Sequence, residues 1–171
     1  LFNDVSALTQ DPASLETAAE LLQRHGGAVC LMHAQGDPQT MQDAPRYGDV
    51  LAEVAAFLAA RMDAAEAAGA PRSALIIDPG IGFGKTLQHN LALLNGLGAL
   101  QSLGAPLLLG VSRKRFIGAL SGEDAADRRL AGSLTAALHG VAQGAQILRV
   151  HDVAETVQAL RVWRGLTAGS G

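Results

Sequence analysis

The 171-residue chain has one cysteine, one tryptophan and one tyrosine, only 4% aromatic residues, and 13 basic against 16 acidic side chains, a net charge of −3. A lone cysteine excludes an intrachain disulfide. Cys30 stands inside the apolar run AVCLM, where a small hydrophobe is expected rather than a thiol nucleophile, and a reducing cytoplasm suits it. The weak negative charge gives no reason to expect nucleic acid or an anionic membrane as partner. No apolar run approaches the ~18 residues of a membrane span. No basic-then-apolar layout of a secretory leader opens the sequence, so a cytoplasmic setting is expected. Apolar residues nevertheless make up 49% of the chain, much of it Ala, Leu and Val, which excludes disorder and provides a core of small aliphatic side chains.

The chain opens on Leu1-Phe2-Asn3-Asp4 without methionine, which reads as the end of a strand begun elsewhere, and a fragment is expected. Five short apolar runs follow one another: LF at Leu1, AVCLM from Ala28, ALIID from Ala74, LLLGV from Leu107 and ILRV from Ile147. Each is followed by a stretch of helical period, in order LETAAELLQRHGG, DVLAEVAAFLAARMDAAEAAGA, LQHNLALLNGLGALQSLGA, DRRLAGSLTAALHGVAQGA and AETVQALRVW. Asp11-Pro12 and Asp49 read as helix starts, and glycine supplies the stops. Such alternation calls for a parallel sheet with right-handed crossovers.

Polar residues choose between the two architectures that satisfy this rule. The runs end in Asn3 and Asp4, in Met32, His33 and Gln35, in Asp78, in Ser112 to Lys114, and in Arg149 and His151. A barrel gathers every such end at one face, whereas a doubly wound sheet uses only those near its switch point. A full barrel needs about 250 residues. The expectation is α/β: the later strands and helices of a TIM-type (β/α)8 barrel, lacking the first strands, as a single partial domain over residues 1–171.

In LIIDPGIGFGKT a buried strand delivers Asp78 into a loop with Gly80, Gly82 and Gly84. Gly84-Lys85-Thr86 imitates the end of a nucleotide P-loop, but the position that needs the first glycine holds Pro79, which lacks an amide. LLLGVSRKRFIG opens likewise into Gly110, Ser112, Arg113 and Lys114. Lys85 and Lys114 are the only lysines among 13 basic residues, which suggests that these turns want a compact ammonium. In ILRVHDV, Arg149 and His151 stand two apart and are expected on one strand face, suited to an anion such as phosphate. His25 and His139 read as ordinary helix-end histidines, and His33 with Gln35 and Asp37 as at most a water-holding group. No histidine pair has zinc-ligand spacing, and no structural metal is expected.

MHAQGDPQTMQ from Met32, DPGIGFGKT from Asp78 with His89 and Asn90 beyond it, SRKRFIG from Ser112 and RVHDV from Arg149 together resemble the dihydropteroate synthase family of folate biosynthesis. The likeness spans essentially the whole chain but only the later strands of that barrel. Departures are small: Ala34 where methionine is common and Ile81 where phenylalanine is. The resemblance implies condensation of 6-hydroxymethyl-7,8-dihydropterin diphosphate with p-aminobenzoate to give 7,8-dihydropteroate and diphosphate. It implies pterin contacts from Asn3, Met32, Asp78 and Lys114, and a diphosphate grip by Arg149 and His151. It implies a p-aminobenzoate site along Gly82 and Phe83, with Gly110, Ser112 and Arg113 in the turn at its entrance. Lys114, Arg149 and His151 are then the catalytic candidates. Mg²⁺ would accompany the diphosphate, its protein ligand lying ahead of Leu1, with no metal ligand within this segment. A homodimer and a sulfonamide target are implied too. Two readings compete: a non-catalytic or truncated pterin-binding module, and a methyltetrahydrofolate-dependent methyltransferase, which has no diphosphate for Arg149 and His151 to hold. A nucleotide hydrolase would rest on the failed P-loop spacing alone.

Overall fold

A computed structural model of the chain describes residues 1–36, 41, 43 and 45–168. The five apolar runs form β1 (Phe2–Asp4), β2 (Val29–Met32), β3 (Leu75–Asp78), β4 (Leu108–Leu109) and β5 (Ile147–Leu148). β1, β2 and β3 pair in parallel, with Asn3 opposite Cys30, Cys30 opposite Ile76 and Met32 opposite Asp78. β4 pairs in parallel with β5, and a parallel bridge from Ile77 to Leu107 links β3 to the β4 run. Spatial order thus follows chain order, without the reversal that defines a doubly wound sheet. It is the arrangement of a partial barrel.

The crossovers carry α1 (Ser14–His25), α2 (Val50–Ala67), α3 (Leu87–Gly96), α4 (Arg115–Ser121) and α5 (Leu130–Ala142), and α6 (Val153–Ala168) follows β5. Asp49 caps α2, its carboxylate accepting the N–H groups of Leu51 and Ala52 at 3.0 Å each. Such a cap is worth about 1 kcal/mol. Asp11 does not cap α1: it accepts the Ala13 N–H at 2.8 Å, and the helix starts beyond it at Ser14. The stretch expected as one helix after Thr86 is split, α3 ending at Gly96 and a 3₁₀ helix running over Leu97–Leu103. Gly96 and Gly98 account for the break, since each disfavours α-helix by about 1 kcal/mol. α4 has no counterpart in the sequence reading, because seven residues with Gly118 among them carry too little period to stand out.

The two-residue period of the strands sorts their side chains between two faces. Val29, Leu31, Leu75, Ile77, Leu107 and Leu109 pack into the main core with helix residues such as Leu58, Met62 and Leu93. Cys30, Ile76, Leu108 and Ile147 cluster on the other face. Cys30 is fully buried there, and burial, reinforced by the Asp78 carboxylate, pushes its thiol up to about 12, so it is no nucleophile at neutral pH. Counting on by twos, Met32, Asp78, Gly110 and Arg149 fall on this second face, and Asn3 joins them through its register with Cys30.

Candidate functional site

The second face ends in a charged cluster. Asp78, 1% exposed, accepts the Gly80 N–H on Oδ1 at 2.8 Å and Arg149 Nη2 on Oδ2 at 2.8 Å. Arg149 Nη1 reaches Asn3 Oδ1 at 2.5 Å, so one guanidinium joins the tips of β1, β3 and β5. Gly110 makes room for it: a Cβ there would stand 2.6 Å from Arg149 Nη2. Met32 is fully buried beneath Gly80, whose absent Cβ would meet the Met32 side chain at 3.4 Å and the His33 carbonyl oxygen at 1.8 Å. Only glycine permits that crossing of the β2 and β3 loops, and φ +65 at Gly80 suits it as well.

The loop after β3 is tied from inside. Lys85, 3% exposed, donates to the carbonyls of Gly80 and Phe83 at 3.0 Å each and to His33 Nδ1 at 2.9 Å. Its ammonium is therefore spent on the protein rather than offered to a phosphate, which disposes of the P-loop resemblance. Burial lowers Lys85 to about 7 and His33 to about 4, so the imidazole is neutral and accepts. His33 packs edge-on against Phe57, and Gln35 brackets Arg46 through its amide. Asp37 lies outside the described residues. From α3, Asn90 Oδ1 accepts the Gly82 N–H at 2.7 Å while its amide donates to Thr86 O at 2.8 Å, and His89 completes the capping box of Thr86. Asn90 thus owes its place in the motif to holding the glycine loop.

Lys114 answers from the turn after β4. Its ammonium lies 4.2 Å from the centre of the Phe83 ring and donates to the Ile81 carbonyl, while its stem would touch a Cβ on Gly82 at 3.2 Å. Burial brings Lys114 down to about 8, the Asp78 carboxylate pulling upward and Arg149 adding to the fall. Gly82, Phe83, Arg113 and Lys114 line a cavity of about 610 Å³. Three further cations, Lys85, Arg115 and Arg129, line it too.

Two expected positions take other partners. The strand alternation stops at Leu148, so Arg149 and His151 part: Arg149 enters the cluster, while His151 Nδ1 lies 2.9 Å from Ser112 Oγ. The Arg113 guanidinium turns to Asp152, 2.6 Å and 3.2 Å from its two carboxylate oxygens. His139 in α5 has its Nε2 buried without a hydrogen-bond partner among the described residues. No group of three His, Cys, Asp or Glu side chains is placed to hold a metal ion among the described residues.

The family model for pterin binding enzymes matches residues 1–151. The chain is 52% identical over 170 residues to the dihydropteroate synthase of Neisseria meningitidis serogroup B, an alignment covering 97% of this chain and 58% of the relative. It superposes on the Xanthomonas albilineans dihydropteroate synthase solved with 4-aminobenzoic acid at a TM-score of 0.88 and 49% identity, covering 97% of this chain and 57% of that one. That enzyme has also been solved with 7,8-dihydropteroate. The Yersinia pestis dihydropteroate synthase, in a sulfonamide drug complex, gives a TM-score of 0.91 and 41% identity over 98% of this chain and 59% of that one. The chain thus spans less than two thirds of the length of each of these relatives.

Proposed function

This chain belongs to the pterin binding enzyme family, and on that premise we propose that it forms the pterin- and diphosphate-holding part of a dihydropteroate synthase, as one partial barrel domain. The observation that carries the reading is the joining of Asn3, Asp78 and Arg149 at the strand tips, with the Lys114 ammonium held over Phe83 in the loop that follows Asp78. The proposed reaction joins 6-hydroxymethyl-7,8-dihydropterin diphosphate to p-aminobenzoate.

A pterin edge carries amino and ring N–H donors, and a buried carboxylate is their natural acceptor. Each Asp78 oxygen makes one bond in the ligand-free chain and has a second lone pair to offer. Asn3 reads the neighbouring part of the edge, Met32 floors the ring, and Lys114 donates to its acceptors. Arg149 stands in for the ligand until it arrives, then moves from Asp78 to the diphosphate, toward which His151 turns from Ser112. The p-aminobenzoate lies along Gly82 and Phe83, with Gly110, Ser112 and Arg113 shaping the turn at the entrance. As the methylene C–O bond breaks, its electron pair passes to the diphosphate oxygen, and the cations stabilise that growing charge. The arylamine nitrogen bonds to the methylene carbon and releases a proton. No protein nucleophile takes part in this scheme.

Magnesium accompanies the diphosphate in the proposed reaction, but the donor set here does not make a cradle for it: Asp78 is engaged by Gly80 and Arg149, and the diphosphate side is cationic. No step is routed through the ion. A cytoplasmic homodimer completes the proposal; no helix among the described residues is long and apolar enough to cross a membrane. The test is diphosphate release from the purified chain given both substrates. Release supports the enzyme, pterin binding without release indicates a non-catalytic module, and no pterin binding contradicts the reading.

A further inference from the structure

Three non-glycine residues described here adopt positive φ, Ala7, Leu8 and Arg113, and only Arg113 adjoins a residue assigned to ligand chemistry. Lys114 N–H bonds to Val111 O at 3.2 Å, closing a turn with Ser112 and Arg113 at its centre, and Arg113 at φ +60 occupies the corner where such a turn asks for glycine. A left-handed non-glycine residue costs about 1 kcal/mol or more. Glycine is abundant in this chain, 20 residues, and takes the left-handed corners at Gly80, Gly82 and Gly84. An arginine at this corner must therefore be held by something its side chain or its neighbours provide.

The restraints come from two other elements. Ser133 of α5, 5% exposed, accepts the Arg113 N–H on Oγ at 2.9 Å and donates to Arg129 O at 2.7 Å. Arg129 Nη1 donates to Arg113 O at 3.0 Å, so both backbone groups of the strained residue are bound. Asp152, in the turn beyond β5, takes the guanidinium through both carboxylate oxygens. One residue earlier on each side, His151 Nδ1 meets Ser112 Oγ. The turn that presents Lys114 is thus pinned to the turn that follows Arg149.

We propose that Arg113 is a positioning residue, and that its ion pair with Asp152, braced by Ser133 and Arg129, holds the strained turn that sets the Lys114 ammonium between Phe83 and the Ile81 carbonyl. This deepens the reading of Lys114 as a ligand-facing ammonium and rests on it. The Arg113 guanidinium reads no substrate in this scheme; it fixes the distance between one cation that meets the pterin and p-aminobenzoate and another that meets the diphosphate.

Lys85 and Lys114 are the only lysines, so isotopically labelled lysine gives side-chain NMR signals from two residues, and their titration needs no substrate. The result is therefore independent of whether the chain binds a pterin. In Arg113→Gly and in Asp152→Asn the Lys114 midpoint is expected to rise from about 8 by about one unit or more, a tenfold change, as the ammonium leaves its half-buried place over Phe83. The Lys85 midpoint, set first by its own burial and lowered further by the Lys114 charge, is expected to rise by less. Arg113→Gly should melt no lower than Asp152→Asn, because glycine removes the strain. A role confined to stability gives the opposite pattern, with both variants melting lower and Lys114 titrating as in the parent. An unchanged Lys114 midpoint in the folded variants overturns the proposal. If Arg113→Gly does not fold, Asp152→Asn decides, since it is isosteric and leaves the bonds from Ser133 and Arg129 in place.

Discussion

Arg149 and Asp78 stand 71 positions apart in the chain and meet at 2.8 Å, with the carboxylate 1% exposed and the guanidinium 40% exposed. That asymmetry gives the pair its working character. Asp78 is fixed at the base of the mouth and bonded to the Gly80 N–H, whereas the arginine comes from the solvent side and can leave when better hydrogen-bond donors arrive. A buried carboxylate left unpartnered is costly, so the exchange of guanidinium for pterin donors is favourable only for a ligand that matches it.

Arg149→Ala separates the two duties. Bare hydroxymethyldihydropterin should bind within about threefold of the parent, because Asp78 and Asn3 remain and a competitor has gone, while the diphosphate-bearing pterin should lose about 100-fold, the scale of a charge-assisted anion contact. Calorimetric titration with both ligands checks this, and equal losses for the two would remove the anion role.

Gly110→Ala probes the same guanidinium from below. The new methyl would meet the far end of a flexible side chain at 2.6 Å, so the fold should survive with its melting temperature nearly unchanged while the arginine is displaced. Affinity for inorganic diphosphate should fall by about tenfold, and by less in the Arg149→Ala background, where nothing is left to displace. An equal drop in both backgrounds would locate the effect elsewhere.

Much of this architecture is legible in the residues themselves. Alternation and apolar runs mark all five strands, and the polar groups at their ends give Asn3, Asp78, Lys114 and Arg149 before any contact is known. The rest is set by long-range packing that no local pattern records. That Lys85 turns inward depends on carbonyls of its own loop closing over it and on His33, 52 positions away. That Arg113 pairs with Asp152 depends on a left-handed corner whose restraints come from α5 and from the turn after β5. His151 leaves the expected face because β5 ends one residue before Arg149. Even α4 is signalled only by its terminal Gly122.

Buried ionisable groups predict a stability profile with a turning point. Lys85 falls from 10.5 to about 7 and Lys114 to about 8 on folding, so between pH 7 and 9 the unfolded chain holds more protons and stability should rise with pH. Cys30 and Tyr47 are raised to about 12 from 9.0 and 10.0 and oppose that gain above pH 9, but the two lysines outweigh them until about pH 10, beyond which the folded chain holds more protons and stability should fall. Urea midpoints measured from neutral pH upward should pass through a maximum at about pH 10. Lys85→Met should flatten the rise and Cys30→Ala should delay the decline; a flat profile for the parent would contradict the burial assigned to these groups.

The role of Asp78 is open to the most direct test. Titrating 6-hydroxymethyl-7,8-dihydropterin into the parent chain should give saturable heat, and Asp78→Asn, which sets a donor against the donors of the heterocycle while keeping the side chain's shape, should weaken binding by about 100-fold or abolish it with the far-ultraviolet dichroism unchanged. Matching isotherms for the two proteins would mean that the heterocycle is held somewhere other than the tip of β3.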